Sequence, residues 1–409
     1  MATPDLLVPL RHPVYRRLFT AQVIALVGTG LATVALSLLA FDLAGDNAGV
    51  VVGIALALKM VAYVTVSPVV TAWTRGVSRK RLLICLDLTR ALAVVSIAFV
   101  TEIWQIYVLI FFLNACSAGF TPTFQAVIPD VLEDEDTYTE ALSLSRLAYE
   151  LEGLASPAIA AALLGLVSYS GLFAGNAVAF LISASLVFST TIPQPRIAPK
   201  MEQALRKVSH GIRLYLSIPR LRGLFALNLA AAAASAMVIV NTVIYVKGDF
   251  GLGDAEVAWG LGAAGAGSMV VAMILPKILR RASDRSLMLG GGAMLAVGLI
   301  EASLLESLPA LMLCWFFLGC GLALVQTPAG RLIQRSANSD ERPALFAAQF
   351  SLSHFCWLLT YPIAGVLGSA LGLSAVAIIL AALAGLATVL AWLLWRPPSS
   401  RVEGIGSHA

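Results

Sequence analysis

Apolar stretches of about 20 residues, the length at which a helix crosses a bilayer core, recur twelve times along this chain. They fall near residues 18–42, 49–73, 82–101, 104–126, 139–166 and 172–191. After a polar stretch to about residue 220 they resume near 222–246, 257–276, 286–304, 310–330, 344–369 and 374–395. Composition agrees with the pattern: 59% of the 409 residues are hydrophobic and 12% are charged, far from the balance of a soluble protein. None of the runs alternates residue by residue, as a lipid-facing strand must. Helices satisfy every backbone group internally within lipid, so the expected fold is an all-α membrane protein with twelve transmembrane helices.

Basic residues gather at alternate ends of these runs. Of the 27 Lys and Arg residues, only Lys59, Arg90, Arg146 and Lys247 fall away from that side. Because basic loops stay cytoplasmic, both termini and the central linker are expected inside the cell. The net charge of +4 is then a matter of topology, and no nucleic-acid partner is expected. One loop on that side, Glu133-Asp134-Glu135-Asp136, is acidic, but acids count little in the orientation rule. The first run exceeds a signal peptide's apolar core and is read as a retained helix. The five cysteines, Cys85, Cys116, Cys314, Cys320 and Cys356, all lie in the runs and are expected to be free, buried thiols.

Landmarks repeat at a constant offset, the mark of an internal duplication. Thr121-Pro122 returns as Thr327-Pro328, Pro157 returns as Pro362, and the basic loop Arg79-Lys80-Arg81 has its counterpart around Arg281 to Arg285. The expected organisation is an N-terminal six-helix bundle over 1–192, a linker over 193–220, a C-terminal six-helix bundle over 221–396 and a tail over 397–409. An interfacial amphipathic helix is expected around Met201 to Leu216.

Motifs for other chemistries are missing. There is no phosphate-binding GxxxxGK[ST] loop and no HExxH or CxxC, so neither an enzyme nor a cofactor is expected. Gly260, Gly262 and Gly265 match GxGxxG inside an apolar run, where small residues serve close helix packing instead.

Ionisable groups inside spans are costly and are functional candidates by default. Asp87 and Arg90, three apart on one helix face, are read with Arg79 and Lys80 as gate-bracing residues. Lys59 lies well inside the second run, and Asp42 closes the first; they either pair or Lys59 snorkels to an interface. In the fifth run Arg146 and Glu150 share a face, whereas Glu152 points elsewhere. Glu150 and Glu152 are the candidate proton carriers, with Arg146 tuning them. His354 is deep in the eleventh run, and a neutral imidazole there can bind a metal, relay protons or simply hydrogen-bond. Polar stripes add candidate substrate contacts: Thr33 on the first run, Asn114, Thr121 and Gln125 on the fourth, Asn228 on the seventh, Gln326 on the tenth and Gln349 on the eleventh.

With two halves of six spans, a basic second loop and Asp87-Leu-Thr-Arg90 after it, the chain resembles the major facilitator superfamily. Phe120-Thr-Pro-Thr-Phe-Gln-Ala-Val-Ile-Pro-Asp130, Ala141-Leu-Ser-Leu-Ser145 and Ser156-Pro157 look like the branch of macrolide and enterobactin exporters. The start, Pro13-Val-Tyr-Arg-Arg-Leu-Phe-Thr-Ala-Gln22, and Gln349-Phe-Ser-Leu-Ser-His-Phe-Cys-Trp357 are similar to bacterial nickel/cobalt-resistance exporters. The family's second-loop motif, Gly-x-x-x-Asp-Arg-x-Gly-Arg-Arg, reads here Thr71-Ala-Trp-Thr-Arg75-Gly-Val-Ser-Arg79-Lys80, with Arg75 in place of the acid. The histidine-rich tail of some nickel exporters is absent.

The resemblance implies a proton-coupled exporter of the bacterial inner membrane, working by alternating access as a monomer. Its first expected substrate is divalent nickel or cobalt held by His354. Two alternatives stay open: export of an amphipathic drug or siderophore, and a membrane scaffold or sensor that transports nothing.

Overall fold

The computed structural model describes residues 7–395 except 74–76, 98, 193–200, 280–281, 337–340 and scattered positions between 133 and 161. Arg75, Arg146, Glu150, Pro157 and the tail from residue 396 therefore lie outside the described residues.

Each expected span other than the fifth has its helix. The first four are Pro13–Ala44, Ala48–Trp73, Arg79–Ile97 and Ile103–Val131, and the sixth is Tyr169–Phe188. The described positions of the fifth, between 137 and 164, are all helical. A linker helix, Met201–Ser217, precedes the seventh span, Pro219–Val243. The eighth to twelfth are Asp254–Ile278, Asp284–Ala302, Leu308–Gln326, Arg342–Pro362 and Leu373–Leu394. No strand occurs among the described residues, and the fold is an all-α membrane fold of two bundles.

Nine segments of the described residues are long and apolar enough to cross a membrane. One of them, Pro13–Val66, holds the first two spans, which fold back at Gly45 with φ 54°. The third span is not among them because it carries Arg79, Lys80, Arg81, Asp87 and Arg90. Gly251, with φ 65°, stands between the seventh and eighth spans as Gly45 stands between the first and second. Positive φ suits glycine, which has no Cβ to clash.

Helix packing repeats between the halves. In the first half, span one packs on six, three on six, three on four, and two on four. In the second half, seven packs on twelve, nine on twelve, nine on ten, and eight on ten. Between the halves, span two lies along span eleven, and the linker helix packs on span eleven. Small residues permit these approaches. A Cβ on Gly319 would run into the Ala264 carbonyl, and one on Gly267 into the Phe316 carbonyl. The glycine-rich eighth span is thus a packing surface.

Two local details bear on the sequence reading. The Thr137 hydroxyl and amide donate to Asp134 Oδ2 at 2.6 and 2.9 Å, so the acidic loop caps the helix leading into the fifth span. These hydrogen bonds hold the Asp134 carboxyl below the usual carboxylate range. Four of the free cysteines are buried as expected, but Cys85 is exposed. The third span turns Leu83, Asp87, Arg90 and Val94 inward, which leaves Cys85 outside with the exposed Leu88 and Leu92.

Gly319→Leu should overpack the contact between spans eight and ten at a cost of about 1–3 kcal/mol. A clear drop in the unfolding temperature of the detergent-purified protein would show it. Gly290→Ala, where an added Cβ meets open space, should leave that temperature unchanged.

Candidate transport site

Lys59 sits about three turns from the end of the second span at Ala48, roughly 16 Å along the helix and near mid-membrane. Its ammonium lies within electrostatic reach of the carboxylate of Glu152 on the fifth span. Both side chains are only half-buried, as befits groups lining the space between the bundles. Glu152 rests against the first span, where a Cβ on Gly30 would lie 2.8 Å from its Oε1. Neither charge would be tolerated alone at this depth; together they neutralise each other. Of the two outcomes left open for Lys59, pairing with Asp42 does not form, because Asp42 lies at the end of its helix and pairs with Lys247.

Around this pair stand aromatic groups. His354 lies within electrostatic reach of Lys59 and stacks on Phe350 at 3.9 Å between ring centroids. Tyr63 and Trp357 are 5.5 and 5.6 Å from the imidazole. Tyr361 hydrogen-bonds with Ser235 and lies within the field of Glu152. The His354 Nδ1 and the Phe350 carbonyl oxygen are 2.7 Å apart. Among the described residues no three His, Cys, Asp or Glu side chains converge to hold a metal ion.

Tyr63 also lines a polar recess within the first bundle, with Gln22, Thr29, Arg90, Ser117 and Thr121. Arg90 donates to Asp87, and Ser183 donates to the other Asp87 oxygen at 2.7 Å. The guanidinium is held between Phe120 and Phe180, 4.3 Å from each ring centroid, a favourable cation–π arrangement. Asp87 and Arg90, read as gate-bracing residues, form a buried pair, Asp87 roughly 12 Å and Arg90 roughly 16 Å along their helix from Arg79, counted at 1.5 Å per residue. Burial drives this: a charge inside the bundle needs its partner beside it. Gln22 is 2% exposed, and neither polar atom of its amide has a partner among the described residues.

The remaining candidates divide. Thr121 lines the recess. Asn228 is buried with an unpartnered Nδ2. Thr33 and Asn114 turn back on their own helix, to the Thr29 carbonyl at 3.3 Å and the Ile110 carbonyl at 2.7 Å. Gln326 is half-buried at the end of the tenth span, where the helix breaks. Gln125 is exposed; its place on the polar stripe falls too near the helix end to reach the centre. Gln349 accepts a hydrogen bond from Tyr215 of the linker helix, so it anchors that helix and does not face the central space.

Contacts between the halves gather at the end opposite the basic loops. Lys247 bridges Asp42 at 3.2 Å and Asp254 at 2.7 Å, and its ammonium lies 5.0 Å from the Phe41 ring centroid. Beside it the backbones of Gly49 and Gly53 on the second span touch Gly365 and Tyr361. Lys247 and Gly365 both lie in widened helical turns, Ile244–Asp249 and Ile363–Leu367, a feature frequent at functional sites. At the basic end, the ion pairs among the described residues stay within one half. Arg79 pairs with Asp130, and Asp284 pairs with Arg331 at 2.5 Å and Arg335 at 3.2 Å. Lys80 lies 5.1 Å from the Phe188 ring centroid, bracing the third span to the sixth. Sequence reading missed the Lys247 bridge, although Lys247 stood out as the one basic residue in a far-side loop.

Two repeated bundles, opposite charges within electrostatic reach of each other at mid-depth and contacts that join the halves at one end define a membrane transporter. The match to known proteins is more particular. The Major Facilitator Superfamily model matches residues 18–305 and 224–409, and the chain belongs to that family. It is 26% identical over 315 residues to the uncharacterized MFS-type transporter YfiS of Bacillus subtilis, covering 72% of this chain and 73% of that protein. It is 23% identical over 219 residues to macrolide efflux protein A of Streptococcus pyogenes, covering 52% of this chain and 53% of that protein. Among solved structures, a bacterial homologue of the human lysosomal transporter Spinster, in an inward-facing and occupied conformation, aligns with a TM-score of 0.73. That alignment has 13% identity and covers 94% of this chain and 97% of the other. A POT family transporter aligns with a TM-score of 0.70 at 13% identity, over 93% and 95% of the two chains. The protein is a Major Facilitator Superfamily transporter, not an enzyme.

Lys247→Ala removes both arms of the far-side bridge. Partly exposed pairs of this kind are worth about 0.5–1 kcal/mol, a population shift of roughly two- to five-fold. Oxidative cross-linking of Asp46→Cys with Ser369→Cys, in a background lacking the native cysteines, should fall by that factor in the Lys247→Ala variant. An unchanged yield would show that the bridge does not hold this end shut.

Proposed function

We propose that the protein is a proton-coupled exporter of a small amphipathic organic solute, working by alternating access as a monomer in the bacterial inner membrane. The basic end is cytoplasmic by the positive-inside rule, so the seal around Lys247 is on the outer side and the chain faces inward. The observation that carries this reading is the pair of Lys59 and Glu152, set at mid-depth beneath that seal. A titratable pair in such a position can exchange a proton with either side as the bundles rock. Macrolide efflux protein A, a relative by sequence, supports the direction and the kind of solute.

Nickel or cobalt is the weaker reading. Among the described residues His354 is joined by no cluster of metal ligands, it lies within electrostatic reach of Lys59, and an ammonium repels a divalent cation. The aromatic surround of Tyr63, Phe350, His354 and Trp357 suits an organic ring better. Glu152 has a partner in the site and is the carboxylate assigned to coupling.

Glu152→Gln should abolish uncoupler-sensitive erythromycin efflux from an efflux-deficient bacterium while the protein stays in the membrane at its normal level. Glu150→Gln measured alongside decides between the two acids: loss of efflux only in Glu150→Gln would move the coupling site. His354→Ala should lower erythromycin efflux several-fold and leave nickel and cobalt tolerance as it was. Metal tolerance that depends on His354 would reinstate the metal reading.

A further inference from the structure

The central space holds an ammonium as well as a carboxylate, and the reading of Glu152 as the coupling carboxylate leaves the ammonium without a task. We propose that Lys59 carries the exchanged proton, releasing it when an organic monocation takes its place against Glu152. This rests on the functional reading above and extends it to the substrate's charge.

The groups around Lys59 come from several helices. Glu152 of the fifth span and His354 of the eleventh lie within electrostatic reach of it. Tyr361, also on the eleventh span, lies in the field of Glu152 and is hydrogen-bonded with Ser235 of the seventh. Tyr63 stands one turn away on the same helix as Lys59 and meets both His354 and Phe350. Gly30 of the first span lets the carboxylate lie flush against that helix. Tyr63, Phe350, His354 and Trp357 offer aromatic faces, which attract organic cations. The Trp357 Nε1 is buried without a partner among the described residues, leaving a donor for an acceptor group on the solute.

Charge balance selects the lysine. If Glu152 carried the proton, the centre would hold a neutral acid beside an ammonium. After exchange it would hold a carboxylate, an ammonium and the cationic solute. Both states have one uncompensated positive charge in a low-dielectric space, which is costly. If Lys59 carries the proton, the empty centre is carboxylate plus ammonium. The loaded centre is carboxylate plus solute cation plus neutral amine, so, counted over the described residues, both states are neutral.

In the exchange, one Nζ–H bond of Lys59 breaks, its electron pair stays on nitrogen, and the proton leaves to water on the cytoplasmic side. On the outer side a proton rebinds the amine, and the ammonium displaces the solute from Glu152. Lysine can lose its proton in such a setting, whereas arginine cannot.

The test uses the full-length purified protein in weakly buffered detergent solution with a pH-indicating dye, and ethidium as a permanently charged monocation. Wild type should release close to one proton per ethidium bound. Lys59→Met should bind ethidium at least as tightly and release none. Lys59→Arg, which keeps the charge and guards against misfolding, should bind at least ten-fold more weakly and release none. Proton release from Lys59→Met equal to that of wild type would overturn the proposal while leaving Glu152 as the coupling group. Wild-type binding by Lys59→Arg would also overturn it, as would failure of wild type to bind ethidium. Erythromycin efflux lost in Glu152→Gln would still stand as evidence for the broader reading.

Discussion

A charge within the hydrocarbon must be matched by a partner nearby, and this requirement orders the interior of the transporter. Lys59 lies within electrostatic reach of Glu152, and Arg90 is bound by Asp87 and enclosed by Phe120 and Phe180. The two pairs differ in what surrounds them. Arg90 is buried within one bundle, where losing its partner would strand a charge, so that pair is a brace. Lys59 and Glu152 line the space between bundles, half-buried, where a solute can compete for either partner.

The duplication is carried into the electrostatics with one inversion. Arg79 and Asp130 in the first half occupy the positions of Asp284 and Arg335 in the second, each 205 residues on. Both pairs tie neighbouring spans at the basic end, but acid and base have changed places. A salt bridge between two helices does not depend on which helix carries which sign, so packing preserves the pair and leaves its polarity free. Opposite polarity also means that related positions attract when the basic ends approach each other across the pseudo-two-fold axis. Like polarity would have made them repel.

The fold was legible because apolar runs of bilayer length, basic loops and repeated Pro positions are local signals. Gly45 and Gly251 could have been added to the repeat, since each follows a span and has a positive φ. Partners were less legible. Lys59 and Glu152 were each visible as charges within spans, but their meeting depends on how the second and fifth spans pack. The partner of Asp42 stayed open for the same reason: Lys247, 205 residues away, reaches it through the meeting of the two bundles. Gln349 shows the opposite error. A polar residue on a helical stripe points to some polar neighbour, and here that neighbour is Tyr215 of the linker helix, a contact the stripe itself could not reveal.

The central claim is that solute and proton exchange at one neutral centre. It is tested most directly in sealed proteoliposomes, by following ethidium transport under an imposed pH gradient with the membrane potential clamped to zero, and then under a potential with no pH gradient. The account predicts transport driven by the pH gradient alone and none driven by the potential alone in wild type. Transport driven by the potential without any pH gradient, at the same rate in Glu152→Gln, would contradict it.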